Sequence, residues 1–154
     1  MRAIVISVNP PHAGNLVDGL KTIEWRKKPL PECTAYVYET KRNGGCGKVI
    51  GEVRIVGDTK CDTNEWWSTD FDLIVRGKVG VRFLEKYAAK NDGVIYANEC
   101  RDAVRYDIPK ELSEFETTIV IPEGTQWFGN MYSYKHIFNK KLTRPPVSWC
   151  YVEV

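Results

Sequence analysis

Three charged side chains are crowded into six residues near the amino terminus. Lys21, Glu24 and Arg26 follow Gly19 in the run Gly-Leu-Lys-Thr-Ile-Glu-Trp-Arg. If residues 22–26 form a strand, Glu24 and Arg26 share one face, because side chains on a strand repeat every two residues. A lysine and an arginine can bind a phosphate or a carbonyl oxygen, and a carboxylate can accept a hydrogen bond from the amino group of a base. The cluster therefore predicts a ligand-binding site; the alternative is a group of surface ion pairs.

The first half of the chain is predicted to position this cluster. Residues 3–8 are apolar and predict a buried strand, and the following Pro10-Pro11 can open a helix, because proline is tolerated in a first helical turn. Gly19 suits the turn that ends the helix. In the strand 22–26, Trp25 lies on the opposite face from Glu24, so we expect it in the core.

A hairpin is predicted after the cluster, from strands at 34–40 and 48–57. Its basic, glycine-rich loop at 41–47 has the Asn-Gly and Gly-Gly signals of a turn but lacks the G-K-[ST] of a phosphate-binding P-loop. A solvated hairpin tip is the expected role of this loop. Gly51 marks a bulge or a close backbone approach.

The second half of the chain has weaker patterns. Residues 79–90 predict a helix in which Val79, Phe83 and Tyr87 recur at four-residue spacing. One helical turn is expected at 64–67, one or two strands at 94–106, a short strand at 117–121 and a closing strand at 148–154. A loop-rich insertion is expected at about 122–145, with a helical turn near 134–139.

The cluster at residues 19–26 resembles the G-x-K-x-x-E-x-R signature of the ASCH domain family. The order of the elements is similar as well, since a strand and a short helix precede the signature, and two strands, a helix, another strand and a closing strand follow. Residues 145–152 look like the C-terminal tail of phage and prophage members. The resemblance spans about the whole chain and implies a single ASCH domain over residues 1–154.

ASCH domains are similar to PUA domains, which are small β-barrels associated with RNA binding and RNA modification. The resemblance implies an α+β fold: a PUA-like, partly open mixed β-barrel of about five to six strands with two or three helices. In the family the positions of Lys21, Glu24 and Arg26 line a cleft of the barrel. The resemblance therefore implies that RNA or a nucleotide-like ligand binds there.

Catalysis is an alternative that the same residues raise. Some ASCH proteins are amidohydrolases acting on N4-acetylcytidine, and this chain resembles them at Lys21. Those enzymes carry a threonine nucleophile, activated by the lysine, where this chain has Glu24. Thr22 is the nearest hydroxyl but lies one strand repeat away, and Glu85 is a candidate for the glutamate that assists proton transfer. We expect Glu24 to pair with Lys21 and keep it protonated, although a carboxylate can also act as a general base towards water.

Composition restricts the class of protein. A chain of 154 residues with 43% hydrophobic and 27% charged residues is typical of one globular domain. No apolar run approaches the ~20 residues that span a bilayer. The apolar run at 3–8 is shorter than the ~7–15 residues of a secretory signal core. We therefore expect an intracellular, cytoplasmic protein without a membrane partner.

Metal chemistry has few candidates in this sequence. His12 and His136 are its two histidines, and no two of its five cysteines have C-x-x-C spacing. We expect reduced thiols, no metal site and no cofactor. His12 lies near the start of the first helix and is a further candidate to reach the cleft; the alternative is a structural role.

Basic and aromatic residues concentrate towards the C-terminus. The net charge is only +2, but residues 124–150 contain no acidic residue. Aromatic side chains can stack on unpaired bases while cations hold phosphates, and the alternative is aromatic packing at the margin of the sheet. The cations of this segment are Lys135, Lys140, Lys141 and Arg144, and the aromatic set is Trp66, Trp67, Trp127, Phe128, Tyr132, Tyr134, Phe138 and Trp149.

Together these patterns favour a protein that recognises RNA or a nucleotide through the cleft, with Lys140, Lys141, Arg144 and Trp149 as further contacts. The first alternative is a hydrolase acting on a modified nucleoside or on RNA, with Lys21 and Glu24 as its catalytic residues. The second alternative is a protein-interaction or transcription coregulator module, a role suggested for the family generally.

Overall fold

The structure of the chain, a computed structural model, describes residues 2–67, 70–127, 129–131 and 134–154. Its main element is an eight-stranded sheet, and a two-stranded hairpin is separate from it. The sheet contains β1 (Arg2–Val8), β2 (Ile23–Arg26), β3 (Thr34–Glu39), β4 (Lys48–Asp62), β5 (Val94–Lys110), β6 (Glu116–Ile121), β9 (His136–Lys141) and β10 (Trp149–Glu153), and the hairpin contains β7 (Gln126–Trp127) and β8 (Asn130–Met131).

Three α-helices are found within the described residues, together with short 3₁₀ segments at Arg42–Gly44, Ala89–Asn91 and Leu112–Glu114. The α-helices are α1 (His12–Val17), α2 (Asp70–Gly77) and α3 (Val81–Ala88). In the part of the chain that the structure describes, no helix is long and apolar enough to cross a membrane.

The strands follow the order β2-β5-β4-β3-β1-β10-β6-β9. β1 and β3 are parallel and the other neighbours are antiparallel, so the sheet is mixed. Its long central pair, β4 and β5, contains three register shifts, and such bulges increase the local twist of a sheet. This distortion allows the sheet to curl.

The curl brings the edge strand β2 close to β1, although three strands lie between them in the sheet. Arg26 at the end of β2 donates from Nη2 to the carbonyl oxygen of Ser7 on β1 at 2.9 Å. This side-chain hydrogen bond connects the two strands, and within the described residues β2 and β1 do not pair as strands. The mixed α+β arrangement agrees with a PUA-like fold, but the sheet is not a closed barrel.

The predicted number of five to six strands is too low. The strand of this sheet that was not predicted is β9. It pairs over six residues with β6, the short strand expected at 117–121, and β6 joins β10 through the single pair of Glu153 and Glu116. The helical turn expected near 134–139 is wrong, because β9 occupies His136–Lys141; the insertion expected at about 122–145 contains loops and the strands β7, β8 and β9. β9 is an exposed edge strand, so it lacks the buried face that would have produced alternation in the sequence.

The strand β1 is buried on both faces, which explains its continuous apolar run. Ile4 and Ile6 face the core beneath α1, and Ala3 and Val5 pack on the other side with Phe115 and Val152. The start of the chain therefore forms the centre of the fold.

Helix α1 packs against the sheet through Ala13, Leu16 and Val17 and ends before Gly19, which adopts a φ of 73°. A side chain at Gly51 on β4 would overlap Val17 and the carbonyl oxygen of Val104. The close approach predicted at Gly51 is thus present. It lets α1 lie directly on the sheet and places the residues that follow it beside β2.

Helices α2 and α3 cover a second core that includes Trp25, Leu84 and Ala88. Trp25 is buried there, as predicted. The helical turn expected at 64–67 is wrong: Glu65 N donates to the Asp62 carbonyl oxygen in a turn at 62–65, residues 66–67 are irregular, and α2 begins at Asp70. The four-residue spacing of Val79, Phe83 and Tyr87 does not mark the buried face of α3. That helix buries Leu84 and Ala88, while Phe83 is 63% exposed.

Candidate functional site

A cavity of about 700 Å³ opens where the curled sheet meets α1 and α3. It is within the ~300–1,000 Å³ range of small-molecule sites. Lys21, Glu24, Arg26 and His12 all line it, so the structure brings together the cluster singled out in the sequence. The other lining residues are Ser7, Val8, Asn9, Trp25, Tyr38, Thr40, Lys41, Arg42, Val79, Phe83, Leu84, Tyr87, Pro145, Pro146 and Val147.

Lys21 is only 2% exposed and lies at the turn that leads into β2. Its Nζ donates a hydrogen bond to the carbonyl oxygen of Gly77, at the end of α2. Burial lowers the pKa of Lys21, and the charge of Glu24 opposes this only in part. The expected ion pair that would keep Lys21 protonated is therefore replaced by a backbone contact, and desolvation dominates.

Glu24 is 8% exposed and forms its ion pair with Arg26 on the same face of β2. The distance from Arg26 Nε to Glu24 Oε1 is 3.5 Å, too long and poorly directed for a hydrogen bond. Arg26 Nε is therefore buried without a hydrogen-bond partner among the described residues, and so is the second carboxylate oxygen, Glu24 Oε2. An acceptor and a donor thus lie side by side on the floor of the cavity.

Arg26 is fixed by its other nitrogens. Nη2 donates to the Ser7 carbonyl oxygen, and Nη1 donates to Ser148 Oγ at 3.0 Å. These bonds link β2 to the ends of β1 and of the segment that precedes β10. The guanidinium is consequently held in one orientation beside Glu24.

His12 lies at the start of α1 and is half-buried. Burial is the main cause that lowers its pKa, the charge of Lys21 lowers it further, and Glu24 opposes both. Its Nδ1 is buried and has no hydrogen-bond partner in the described structure. A neutral imidazole at this position can donate or accept one hydrogen bond.

Two apolar walls stand above the polar floor. One wall is formed by Phe83 and Tyr87 on α3, whose rings are nearly parallel, with an interplanar angle of 12° and centroids 6.3 Å apart. The other wall is the segment 145–147, which is anchored because Ser7 Oγ donates to the Pro146 carbonyl oxygen at 2.6 Å. We call this cavity, with its polar residues on and before β2 and its apolar residues on α3 and at 145–147, the slot.

The mouth of the slot is basic. Lys41 and Arg42, in the loop between β3 and β4, are exposed and line the cavity. Nearby, Thr40 Oγ1 donates to Asn9 Oδ1 at 2.6 Å and connects this loop to the end of β1. The lining contains four cationic side chains, Lys21, Arg26, Lys41 and Arg42, against the single carboxylate of Glu24. This balance favours an anionic ligand.

No protein-family model and no curated protein matches the chain. Solved structures of an ASCH protein from Zymomonas mobilis do match. A serine-to-alanine variant is similar over 97% of this chain and 87% of its own, with 21% identity and a TM-score of 0.65. A tyrosine-to-phenylalanine variant is similar over 71% of this chain and 75% of its own, with 25% identity and a TM-score of 0.58.

This chain has the ASCH fold. The unsubstituted Zymomonas mobilis ASCH protein agrees, with 24% identity, a TM-score of 0.57 and coverage of 71% of this chain and 73% of that one. The structural likeness supports the family that the signature at 19–26 suggested. In this ASCH fold the signature lies on the turn and strand that form the floor of the cavity.

The other predicted contacts lie outside the cavity lining. Lys140 and Lys141 are exposed on the edge strand β9, and Arg144 is exposed just before the wall segment 145–147. Trp149 is half-buried against the main core and makes an edge-to-face contact with Tyr151. Among the aromatic residues predicted to bind bases, Phe128 and Tyr132 fall outside the described residues.

Neither candidate for an additional catalytic group lies in the cavity lining. Thr22 Oγ1 accepts a hydrogen bond from Arg76 Nε at 3.0 Å. Glu85 is exposed and accepts from Trp66 Nε1 at 3.3 Å, beside a smaller polar depression. Among the described residues, no group of three or more His, Cys, Asp or Glu side chains is arranged to hold a metal ion.

The sequence interpretation missed the two walls and the mouth. Phe83 and Tyr87 were identified only as recurring residues of a predicted helix, and Lys41 and Arg42 were expected at a solvated hairpin tip. The available signal was the basic composition of the 41–47 loop together with its position directly after a strand paired with β1. That pairing depends on tertiary structure, so the signal had no spatial meaning until the sheet was known.

Proposed function

We propose that this protein binds RNA or a nucleotide in the cavity above Lys21, Glu24 and Arg26. The observation that carries the proposal is the unpartnered Oε2 of Glu24, in a side chain that is 8% exposed. Leaving a buried charged acceptor unsatisfied costs free energy, at least ~1–3 kcal/mol. A ligand that donates to this oxygen, as a base amino or imino group does, would remove that cost.

The charge of the lining supports the same ligand class. A neutral sugar or an apolar molecule would not use the four cationic side chains of the lining, whereas a phosphate would. The ASCH fold is consistent with this proposal.

Assignment to the phage or prophage branch of the family rests on the tail at 145–152 and stays a prediction.

Binding of a fluorescently labelled single-stranded RNA, measured by anisotropy at low salt, tests the proposal. We expect Glu24→Gln to weaken binding about tenfold. The amide has an NH₂ donor in place of one carboxylate oxygen, and it carries no negative charge to accept a hydrogen bond from the ligand. Arg26→Ala should weaken it at least as much. Arg54→Ala is the matched control, since Arg54 is exposed on β4 and does not line the cavity.

The proposal fails if Glu24→Gln and Arg26→Ala bind RNA and nucleotides as tightly as the unchanged protein does. Absence of any RNA or nucleotide binding by the unchanged protein would also overturn it and would leave the alternative of a protein partner.

A hydrolase is the second candidate function, and the lowered pKa of Lys21 favours it. A lysine whose amine loses its proton more readily is a better general base. Glu24 cannot act as an alcohol nucleophile, so we expect little or no turnover of N4-acetylcytidine. Chromatography of the RNA and nucleoside samples after the binding assay distinguishes the two functions. Product that forms with the unchanged protein but not with Lys21→Met would establish the enzyme.

A further inference from the structure

We infer that the slot holds a single unpaired nucleotide, with its base between the Phe83–Tyr87 wall and the 145–147 wall and its phosphate at Lys41 and Arg42. This inference rests on the proposed function and specifies its ligand. It assigns binding roles to residues on α3, on the β3–β4 loop and on the segment before β10, none of which belongs to the signature at 19–26.

The α3 wall has the shape and exposure of a stacking platform. Phe83 is 63% exposed, although its helix buries Leu84 and Ala88 beside it. Its ring stacks on that of Tyr87, and both rings belong to the cavity lining. Aromatic surfaces of this kind bind bases by stacking, because every base has a flat π-face.

The opposite wall is held in place by several hydrogen bonds. The Ser7 side chain donates to the Pro146 carbonyl oxygen, and the Ser7 amide donates to the Ser148 carbonyl oxygen at 2.9 Å. Arg26 Nη1 also donates to Ser148 Oγ. These bonds fix the apolar residues at 145–147 in the cavity lining, where they offer a second apolar surface to a planar ring.

The floor determines which edge of the ring is bound. Glu24 Oε2 accepts and Arg26 Nε donates, and the two side chains are adjacent on β2. Their complement is a ligand edge on which a donor lies beside an acceptor, and the Watson–Crick edges of the bases have this arrangement. In a duplex that edge is already paired. The floor thus selects an unpaired base.

The mouth of the slot is placed to bind the phosphate of the nucleotide. Lys41 and Arg42 are exposed there and form no ion pair with any described residue. A phosphate attached to a sugar in the slot would be the natural partner of two uncompensated cations at its opening. Base, sugar and phosphate would then extend from floor to mouth, whether the nucleotide is free or belongs to an RNA strand.

Isothermal titration calorimetry with defined probes tests this assignment. The probes are the four nucleoside 5′-monophosphates, the corresponding nucleosides, ribose 5-phosphate, a single-stranded RNA octamer and the same octamer in a duplex. We expect at least one monophosphate or the single strand to bind, and the duplex and ribose 5-phosphate to bind at least tenfold more weakly. A monophosphate that binds as tightly as the octamer identifies a free nucleotide as the source, and a much tighter octamer identifies a strand.

Variants of the walls and the mouth separate the contributions. Phe83→Ala should weaken binding of the preferred probe about 5- to 150-fold, from the loss of one stacking contact. Phe83→Tyr should restore it, because the ring remains. Phe71→Ala is the matched control, since Phe71 is 56% exposed on α2 but does not line the cavity. The Lys41→Ala, Arg42→Ala double variant should bind nucleoside and monophosphate with equal affinity.

The outcomes distinguish this inference from the function on which it rests. If Glu24→Gln weakens binding but Phe83→Ala does not, the cavity binds the ligand without stacking and the inference is wrong while the proposed function stands. Duplex binding as tight as single-strand binding would also overturn it. If no probe binds the unchanged protein, both the inference and the proposed function fail.

Discussion

Lys21 has two competing influences on its amine, the carboxylate of Glu24 and the loss of water around a side chain that is 2% exposed. The net effect lowers the pKa, so burial outweighs the nearby opposite charge. The Lys21 amine donates its hydrogen bond to the Gly77 carbonyl oxygen, which is polar but uncharged. A charge held mainly by a neutral carbonyl is less well compensated than one in an ion pair, which explains the direction of the shift.

This direction gives a test of stability against pH. Because the pKa of Lys21 is lower in the folded protein than its usual 10.5, the unfolded chain binds more protons between the two values. The free energy of unfolding should therefore rise with pH as the solution approaches 10.5, and this contribution is lost again as pH falls through the folded pKa. Lys21→Met should lack it. Urea unfolding of both proteins between pH 7 and 10 measures the difference, and two parallel pH curves would contradict the prediction.

The position of the elements around the cavity depends on the connection between α2 and α3, which runs from Gly77 to Val81. Gly77 ends α2, accepts the hydrogen bond from Lys21 and packs against the indole of Trp25. Helix α3 starts four residues later and carries the Phe83–Tyr87 wall. The position of this wall is therefore set by how closely the Gly77 backbone approaches β2.

An alanine scan of the two glycines of this connection tests that dependence. A Cβ added at Gly77 would lie 2.9 Å from Trp25 Cδ1 and overlap the indole nitrogen, whereas a Cβ at Gly80 meets no atom within 4 Å. We expect Gly77→Ala to reduce the free energy of unfolding by about 1–3 kcal/mol through overpacking. Gly80→Ala should cost well under 1 kcal/mol. Urea denaturation followed by tryptophan fluorescence measures both, and equal stabilities would refute the proposed packing constraint.

At the scale of the whole molecule, the cations proposed to bind ligand form two groups. The cations of the cavity belong to β2, its preceding turn and the β3–β4 loop, and Lys140 and Lys141 lie on β9 at the far edge of the sheet. Arg144 connects the two groups, because it directly precedes the cavity wall at 145–147. An RNA strand with one nucleotide in the slot could continue along this segment towards β9.

Salt dependence tests this path. Each single-strand phosphate contact contributes a slope of roughly 0.7 log units of affinity per log unit of salt. The triple variant Lys140→Ala, Lys141→Ala, Arg144→Ala should therefore show a flatter slope with single-stranded RNA. A second triple variant, Arg54→Ala, Lys60→Ala, Lys90→Ala, changes the net charge equally at exposed positions outside the cavity and should retain the slope. Equal slopes in the two triple variants would place the strand elsewhere.

Much of the fold followed from local patterns in the sequence. The apolar run of β1, the turn at Gly19 and the two-residue spacing of Glu24 and Arg26 are local features, and local geometry is sufficient to predict them. The hairpin of β3 and β4 and the close approach at Gly51 were predictable for the same reason. The sequence by itself therefore determined which charged residues share a face and on which elements they lie.

Only the tertiary structure decided how those residues are paired and enclosed. Lys21 bonds to a carbonyl 56 positions away, and Arg26 bonds to Ser148, 122 positions away, so no local pattern encodes either contact. Phe83 was indistinguishable from a core residue until the curl of the sheet left its side of α3 open to the cavity. The strand β9 had no buried face to produce alternation, because five of its six residues are exposed at the edge of the described sheet. Burial and long-range hydrogen bonding depend on the whole chain, and these two quantities define the slot.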